Sequence, residues 1–161
     1  MSDFFYCMLT PIGYLHIVTT DLGLKKIEFS DKQLPNSPIL SGLLELTITQ
    51  LNAYFNGSLK RFELPLIYEG SDFQIQVWNE LIKIPFGHTC TYKELAEKIG
   101  QPKAVRAVGL ANNKNEIPIV IPCHRVIGSS GKLVGYAGDI WRKNWLLQHE
   151  RKIEFGINTL F

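Results

Sequence analysis

The stretch "TYKELAEKIGQPKAVRAVGLANN", residues 91–113, decides the fold of the C-terminal half because it contains two helical segments separated by a short turn. Thr91, followed by Glu94 at the capping-box spacing, predicts the start of the first helix. Gly100 predicts its end, and a second helix is expected over residues 103–113. Two short helices joined in this way are typical of a helix-turn-helix.

The second helix is predicted to have two unlike faces when it is projected at about 100° per residue. The small apolar face consists of Ala104, Ala107, Val108 and Ala111, and the opposite face of Lys103, Arg106, Gly109, Leu110 and Asn113. Cations on such a face reach phosphates or bases, and a glycine lets the backbone approach a duplex closely. The pattern is compatible with DNA recognition, but taken alone it is explained better by an ordinary helix pair with a solvated charged face.

The segments before this stretch predict a small antiparallel sheet with one helix. Three β-rich runs, residues 5–9, 14–19 and 24–29, are separated by turn residues, as in a meander. Apolar residues at helical spacing follow from Leu40 to Phe55, and alternation over residues 61–68 predicts a further strand.

Residues 69–72 are interpreted as a connector, and helical patterns resume from Phe73 and again from Asp139. We therefore expect an α+β protein with two domains. Residues 1–72 form a small antiparallel subdomain, and residues 73–161 a mostly helical domain with the helix-turn-helix.

Composition limits the class of protein. Of the residues, 45% are apolar and 20% charged, and no run approaches the roughly 18 apolar residues of a membrane helix. No export signal is visible, so a cytoplasmic protein without membrane contact is expected. Cys7, Cys90 and Cys123 are widely spaced and form no C-x-x-C pair, which predicts free thiols and no metal site.

Charge is distributed unevenly along the chain. Residues 1–85 carry six Lys and Arg against nine Asp and Glu, a net of −3, whereas residues 86–161 carry eleven against six, a net of +5. Only the C-terminal half is therefore expected to bind a polyanion.

The motif "IPCHRVI", residues 121–127, places a thiol, an imidazole and a guanidinium in sequence. We interpret the apolar run 117–121 before it as a buried strand that ends at Cys123. An isolated buried cysteine is most often inert, but a neighbouring base favours the thiolate. Side chains alternate along a strand, so His124 is expected to reach the Cys123 sulfur through a water.

Two later features extend this hypothesis. Glu150 lies in the last turn of the final helix, where the helix dipole disfavours an anion, and is a candidate to orient His124. Residues 128–138, which we call the glycine loop, contain four glycines and are suited either to enclosing a flat ligand or to forming the wing of a winged helix.

Together these motifs resemble the O6-alkylguanine-DNA alkyltransferases, the methylated-DNA–protein-cysteine methyltransferase family. The resemblance runs through "TPIG", "GLKKIEF" and "YFNG" and then "FQIQVWNELIKIPFGHTCTYKELAEKIGQPKAVRAVG", "IPCHRVIG", "GYAG" and "WLLQHE". It implies a ribonuclease H-like N-terminal subdomain followed by a winged helix-turn-helix domain.

The resemblance also implies roles for single residues. Cys123 would accept the alkyl group, and His124 and Glu150 with a water would keep it as thiolate. Tyr92 would stabilise the departing guanine, and Asn115 would act as the hinge amide. Arg125 and Lys143 are expected to be structural ion-pair partners.

DNA contacts and the base pocket are implied in the same way. Arg106 would replace the flipped nucleotide in the stack after entry from the minor groove. The other implied DNA-binding residues are Ala107, Gly109, Thr91, Asn113 and Lys103. The implied base-pocket residues are Val126, Tyr136, Ala137, Asn112 and Leu133.

The activity implied is single-turnover repair of O6-alkylguanine, and of O4-methylthymine, in double-stranded DNA. We expect no cofactor, no metal and a monomer, with cooperative binding on DNA left open. The alternatives are an alkyltransferase-like protein that only binds lesions, against which Cys123 argues, and a thiol hydrolase.

The chain departs from the family pattern at three positions. Asp139 stands where the family often has a second glycine, Glu116 where it usually has proline, and Asn113 where glycine is frequent.

Overall fold

The computed structural model describes residues 3–134, 136 and 138–156 of the chain. The chain divides into two compact units, residues 1–68 and residues 69–161. The architecture is mixed α+β, with the antiparallel sheet in the first unit and most of the helices in the second, as the sequence predicts.

The first unit is built on three antiparallel strands in the order β1-β2-β3. They are β1 (Phe4–Thr10), β2 (Gly13–Thr19) and β3 (Leu24–Ser30). Gly13 has a φ of 97°, which a glycine adopts without strain, and follows the turn between β1 and β2. Leu15 and Ile17 alternate with more exposed residues along the central strand and are fully buried.

Helix α1 (Gly42–Asn56) packs on this sheet. Ser41 caps its N-terminus by accepting a hydrogen bond from the Leu44 N–H at 3.1 Å, and Gly57, with a φ of 87°, ends it. The strand predicted over residues 61–68 is wrong except for one parallel bridge between Leu24 and Leu66. Pro65 in this segment has no N–H to donate to a ladder.

The second unit contains four helices among its described residues: α2 (Asp72–Ile82), α3 (Tyr92–Lys98), α4 (Val105–Asn113) and α5 (Ile140–Phe155). The predicted capping box at Thr91 and Glu94 is confirmed. Helices α2, α3 and α4 contact one another, and the Trp78 indole N–H donates to Ala111 O at 2.8 Å. This bond fixes α4 against α2.

The strand predicted to carry Cys123 is wrong. Residues 117–121 form a turn in which Ile121 N–H donates to Ile117 O at 2.9 Å. Cys123–Arg125 is a 3₁₀ turn, and only β5 (Val126–Ile127) is extended, paired in parallel with β4 (Cys90–Thr91). Prolines at positions 118 and 122 lack the N–H groups that a continuous strand needs.

The predicted faces of α4 are also partly wrong. Ala107, assigned to the inner face, is exposed, whereas Val108, Ala111 and Asn112 form the buried stripe. Val108 and Ala111 lie on the packed side as predicted, and the exposed side includes Arg106 as predicted. Among the described residues, no helix is long and apolar enough to cross a membrane.

Candidate active site

Cys123 begins the 3₁₀ turn and is only 4% exposed. Its backbone N–H donates to Ile121 O at 2.8 Å, which fixes the start of the turn. Burial raises the pKa of the Cys123 thiol to about 11, while a hydrogen bond from Asn115 and the charge of Lys143 act in the opposite direction. The thiol is therefore protonated at neutral pH, and its use as a nucleophile requires a base.

His124 is fully buried, and its Nε2 lies 2.7 Å from Glu150 Oε2. Burial lowers the pKa of His124 although Glu150 acts in the opposite direction, so the imidazole is neutral at pH 7. A carboxylate only accepts hydrogen bonds, which puts the imidazole proton on Nε2. The buried Nδ1 then has a lone pair and no hydrogen-bond partner among the described residues, as a general base requires.

Glu150 is held as an anion by several donors. Arg125 donates from Nε to Oε1 at 2.8 Å and from Nη2 to Oε2 at 3.0 Å, and Gly87 N–H donates to Oε1 at 3.1 Å. Burial alone would raise the pKa of Glu150, but His124 and Arg125 hold it well below its usual value. Arg125 also donates to Ile84 O at 2.7 Å, so it forms the structural ion pair that was expected.

Tyr92 and Lys143 lie near Cys123 and donate to a common backbone carbonyl. The Tyr92 hydroxyl donates to Val134 O at 3.0 Å, and the Lys143 ammonium donates to the same oxygen at 3.0 Å. Burial and the nearby Cys123 raise the pKa of Tyr92 to about 12, so its hydroxyl keeps its proton. Burial lowers the pKa of Lys143 to about 8, against the influence of Cys123.

Two asparagine side chains connect α4 with the turn that carries the thiol. Asn115 Nδ2 donates to Ile121 O at 2.8 Å, and its Oδ1 accepts from Ile117 N–H at 3.0 Å. Asn112 Nδ2 lies 3.4 Å from Cys123 O, and its buried Oδ1 has no hydrogen-bond partner in the part of the chain that the structure describes. The Asn115 amide thus closes the turn of residues 117–121, and the Asn112 amide leaves a carbonyl oxygen close to Cys123 that is unpaired within the described residues.

The residues assigned to DNA binding lie on or beside the helix pair. Lys103, Arg106, Ala107 and Asn113 are exposed, and Gly109 and Thr91 are partly exposed. A Cβ built on Gly109 would lie 3.8 Å from the Tyr92 ring, so this part of α4 adjoins the tyrosine of the site.

The residues assigned to the base pocket differ in burial. Val126 is fully buried, and Leu133 and Tyr136 are partly exposed. Ala137 lies outside the described residues. In residues 3–134, 136 and 138–156, no group of three or more His, Cys, Asp or Glu is arranged to hold a metal ion.

Lys143 was predicted only as a structural ion-pair partner, and its hydrogen bond to Val134 O was not foreseen. Its side chain has an exposed fraction of 0%, and it donates to a backbone carbonyl of the glycine loop. The sequence did contain an indication that Lys143 is buried. Residues 143 and 150 are two helical turns apart on α5 and therefore lie on the same inner face of this helix.

Two family models cover most of the chain. The model described as "6-O-methylguanine DNA methyltransferase, DNA binding domain" matches residues 72–152. The model described as "6-O-methylguanine DNA methyltransferase, ribonuclease-like domain" matches residues 5–68.

Individual relatives agree with these models. The methylated-DNA–protein-cysteine methyltransferase of Methanosarcina acetivorans is 52% identical over 150 residues, which cover 88% of this chain and 94% of the relative. The crystal structure of Mycobacterium tuberculosis O6-methylguanine methyltransferase has a TM-score of 0.84 at 42% identity and covers 94% of each chain. The structure of Mycobacterium tuberculosis OGT in complex with DNA also has a TM-score of 0.84 at 42% identity, over 92% of this chain and 93% of that one.

Proposed function

Because the chain belongs to the 6-O-methylguanine DNA methyltransferase family, we propose that Cys123 is the residue that accepts the alkyl group. The chain acts in DNA repair by transferring an alkyl group from methylated DNA to a protein cysteine. The observation that carries the assignment to Cys123 is the adjacent His124, whose Nε2 is bound to Glu150 and whose Nδ1 is unpaired within the described residues.

The proposed reaction is a single displacement. The Cys123 proton passes through a water to His124 Nδ1, and Glu150 stabilises the imidazolium that forms. The sulfur then forms a bond to the alkyl carbon as the carbon–O6 bond breaks, and that electron pair remains on guanine. Since a thioether is not readily hydrolysed, each chain is expected to react once.

Tyr92 is proposed to assist the leaving group. Its raised pKa keeps the hydroxyl protonated, so it is available to donate a hydrogen bond or a proton to the departing guanine anion. Its neighbour in the site, Cys123, contributes to that raised pKa, which supports a position close to the reacting atoms.

Helix α4 is proposed to bind the duplex through its exposed side. Arg106 would fill the place of the flipped nucleotide, while the small residues Ala107 and Gly109 allow close approach to the minor groove. Lys103, Asn113 and Thr91 would contact the backbone nearby.

The base is proposed to lie beside Cys123, Val126 and Asn112, within the glycine loop that contains Leu133, Tyr136 and Ala137. The buried and unpaired Asn112 Oδ1 supports this placement, because a donor on the base would relieve its loss of hydration. Asn115 would maintain the geometry between α4 and Cys123.

We further propose O6-alkylguanine in double-stranded DNA as the preferred substrate, with O4-methylthymine as a second. The protein would act as a monomer in the cytoplasm and without a cofactor. The domain of residues 73–161 would carry the chemistry, separate from the domain of residues 1–72.

Mass spectrometry after incubation with an oligonucleotide containing O6-methylguanine tests the proposal. The chain should gain about 14 Da, one methyl group replacing a thiol proton, and the Cys123→Ala variant should gain nothing. Tight binding of the oligonucleotide without a gain in mass would instead identify a non-enzymatic lesion-binding protein.

A further inference from the structure

The carbonyl of Val134 accepts two side-chain hydrogen bonds in the site. Tyr92 Oη and Lys143 Nζ each lie 3.0 Å from this oxygen. A backbone carbonyl has two lone pairs, so both donors are accommodated at once. One atom of the glycine loop is thereby tied to α3 and to α5.

The burial of Lys143 is unusual. The residue has an exposed fraction of 0%, and removing an ammonium group from water is costly unless hydrogen bonds compensate. Its Nζ lies 5.8 Å from the centre of the Tyr92 ring. The Lys143 ammonium therefore lies close to Tyr92 and donates to the same carbonyl.

The proposed reaction requires one of these two bonds to break. A tyrosine hydroxyl has a single proton to donate, and in this structure it is directed to Val134. When Tyr92 donates to the departing guanine, Val134 O loses that donor at the moment when the glycine loop encloses the base. Lys143 is the donor that remains.

We propose that Lys143 is a positioning residue that holds the glycine loop through Val134 O when the Tyr92 hydroxyl turns to the departing guanine. This inference rests on the proposed function, because it assumes the role given there to Tyr92. It predicts that replacing Lys143 slows alkyl transfer only when residue 92 is a tyrosine, whose hydroxyl leaves Val134 O during the reaction. A lysine that merely stabilised the fold would slow the reaction equally in both backgrounds.

Single-turnover transfer from a saturating O6-methylguanine duplex gives the first test. Lys143→Met should slow transfer about tenfold to hundredfold, the range for losing a hydrogen bond from a charged donor. In the Tyr92→Phe background, no donor leaves Val134 during the reaction, so Lys143→Met should slow transfer less than about threefold further. Lys152→Met, the same substitution at an exposed position of α5, is the matched control and should leave the rate unchanged.

Amide hydrogen exchange without DNA gives a second test, which compares Tyr92→Phe, in which Lys143 is kept, with the double variant, in which it is replaced. In Tyr92→Phe, exchange at the hydrogen-bonded amides of Gly128 and Gly131 should stay within about threefold of the unmodified chain. The double variant should exchange at least about tenfold faster, because Val134 O then has neither donor.

The outcomes separate the two proposals. Failure of the unmodified chain to gain a methyl group refutes the proposed function. The exchange measurement would still test whether Lys143 holds the glycine loop through Val134 O. Equal slowing by Lys143→Met in both backgrounds, no slowing at all, or loss of loop protection in Tyr92→Phe overturns the role of Lys143.

Discussion

At the scale of single residues, the proposed chemistry depends on the buried hydrogen bond between His124 and Glu150. Glu150 keeps its negative charge because Arg125 provides a buried countercharge, and His124 can therefore be neutral with Nδ1 available. The sequence predicted this pairing, since His124 and Glu150 were both chosen from local cues. It did not predict that Arg125 would bind the same carboxylate, because neighbouring side chains on the predicted strand would point to opposite faces, whereas the 3₁₀ turn lets both His124 and Arg125 reach Glu150.

Acid should destabilise the fold through His124. The pKa of His124 is lowered below its ordinary 6.5, so the unfolded chain binds a proton that the folded chain does not. Stability therefore falls as pH drops below about 6.5, the ordinary histidine pKa. Urea unfolding at pH 7.5 and pH 5.5 should show a lower midpoint at pH 5.5, and His124→Gln should show a smaller decrease. An equal decrease in both proteins would rule out His124 as the source.

Asp139 is the residue at which the departure from the family pattern has a structural consequence. Its φ of 71° and ψ of 154° fall in a region that is nearly restricted to glycine. Asp139→Gly should raise the free energy of unfolding by roughly 1 kcal/mol, since released strain of about 1–3 kcal/mol exceeds the entropy cost of glycine. Urea denaturation measures this, and Asp139→Asn, which keeps a Cβ, should give no such gain. A destabilised glycine variant would contradict the assigned strain.

The turn at residues 117–121 shows what decides structure at the scale of an element. Its apolar composition predicted a strand, yet Asn115 binds both ends of the segment and closes it into a turn. The helices were predicted well because caps such as Thr91 with Glu94 are local in sequence. The turn was not, because side-chain bonds to backbone groups leave no periodic pattern.

Asn115→Ala should therefore disrupt this element. It leaves the Ile117 N–H without its partner in the interior, at a cost of about 1–3 kcal/mol, and removes one of the two hydrogen bonds that Ile121 O accepts, the other coming from Cys123 N–H. We expect the free energy of unfolding in urea to fall by roughly 2–4 kcal/mol. Asn113→Ala, at an exposed position of α4, should change it by less than about 0.5 kcal/mol. Similar losses in both variants would show that Asn115 has no special role.

The proposed DNA-binding role of Arg106, on the exposed side of α4, can be tested by comparing repair of two substrates. Arg106→Ala should slow repair of O6-methylguanine in a duplex at least about tenfold, because the base must leave a stack. Transfer from the free base should change less than about threefold, since no stack is present. Lys114→Ala, another exposed cation near the end of α4, controls for lost charge at a fixed salt concentration. Equal losses on both substrates would make Arg106 a structural residue.

At the scale of the whole molecule, the site is assembled from segments that are distant in sequence. Tyr92 lies on α3, Cys123 and His124 on the 3₁₀ turn, and Glu150 with Lys143 on α5. The sequence singled out all of these residues except Lys143 as catalytic candidates, and it predicted the mixed α+β class that the structure confirms. The sequence did not predict that Tyr92 and Lys143 both donate to Val134 O. Every residue has a backbone carbonyl, so a hydrogen bond to one produces no recognisable sequence pattern.

As the proposed acceptor, Cys123 takes up one alkyl group and is then spent. Titrating a fixed amount of the chain with increasing O6-methylguanine duplex, followed by peptide mass mapping, measures this. We expect a plateau at one methyl group per chain, located on the peptide that contains Cys123. Repair beyond one equivalent, or methylation at Cys7 or Cys90, would contradict it.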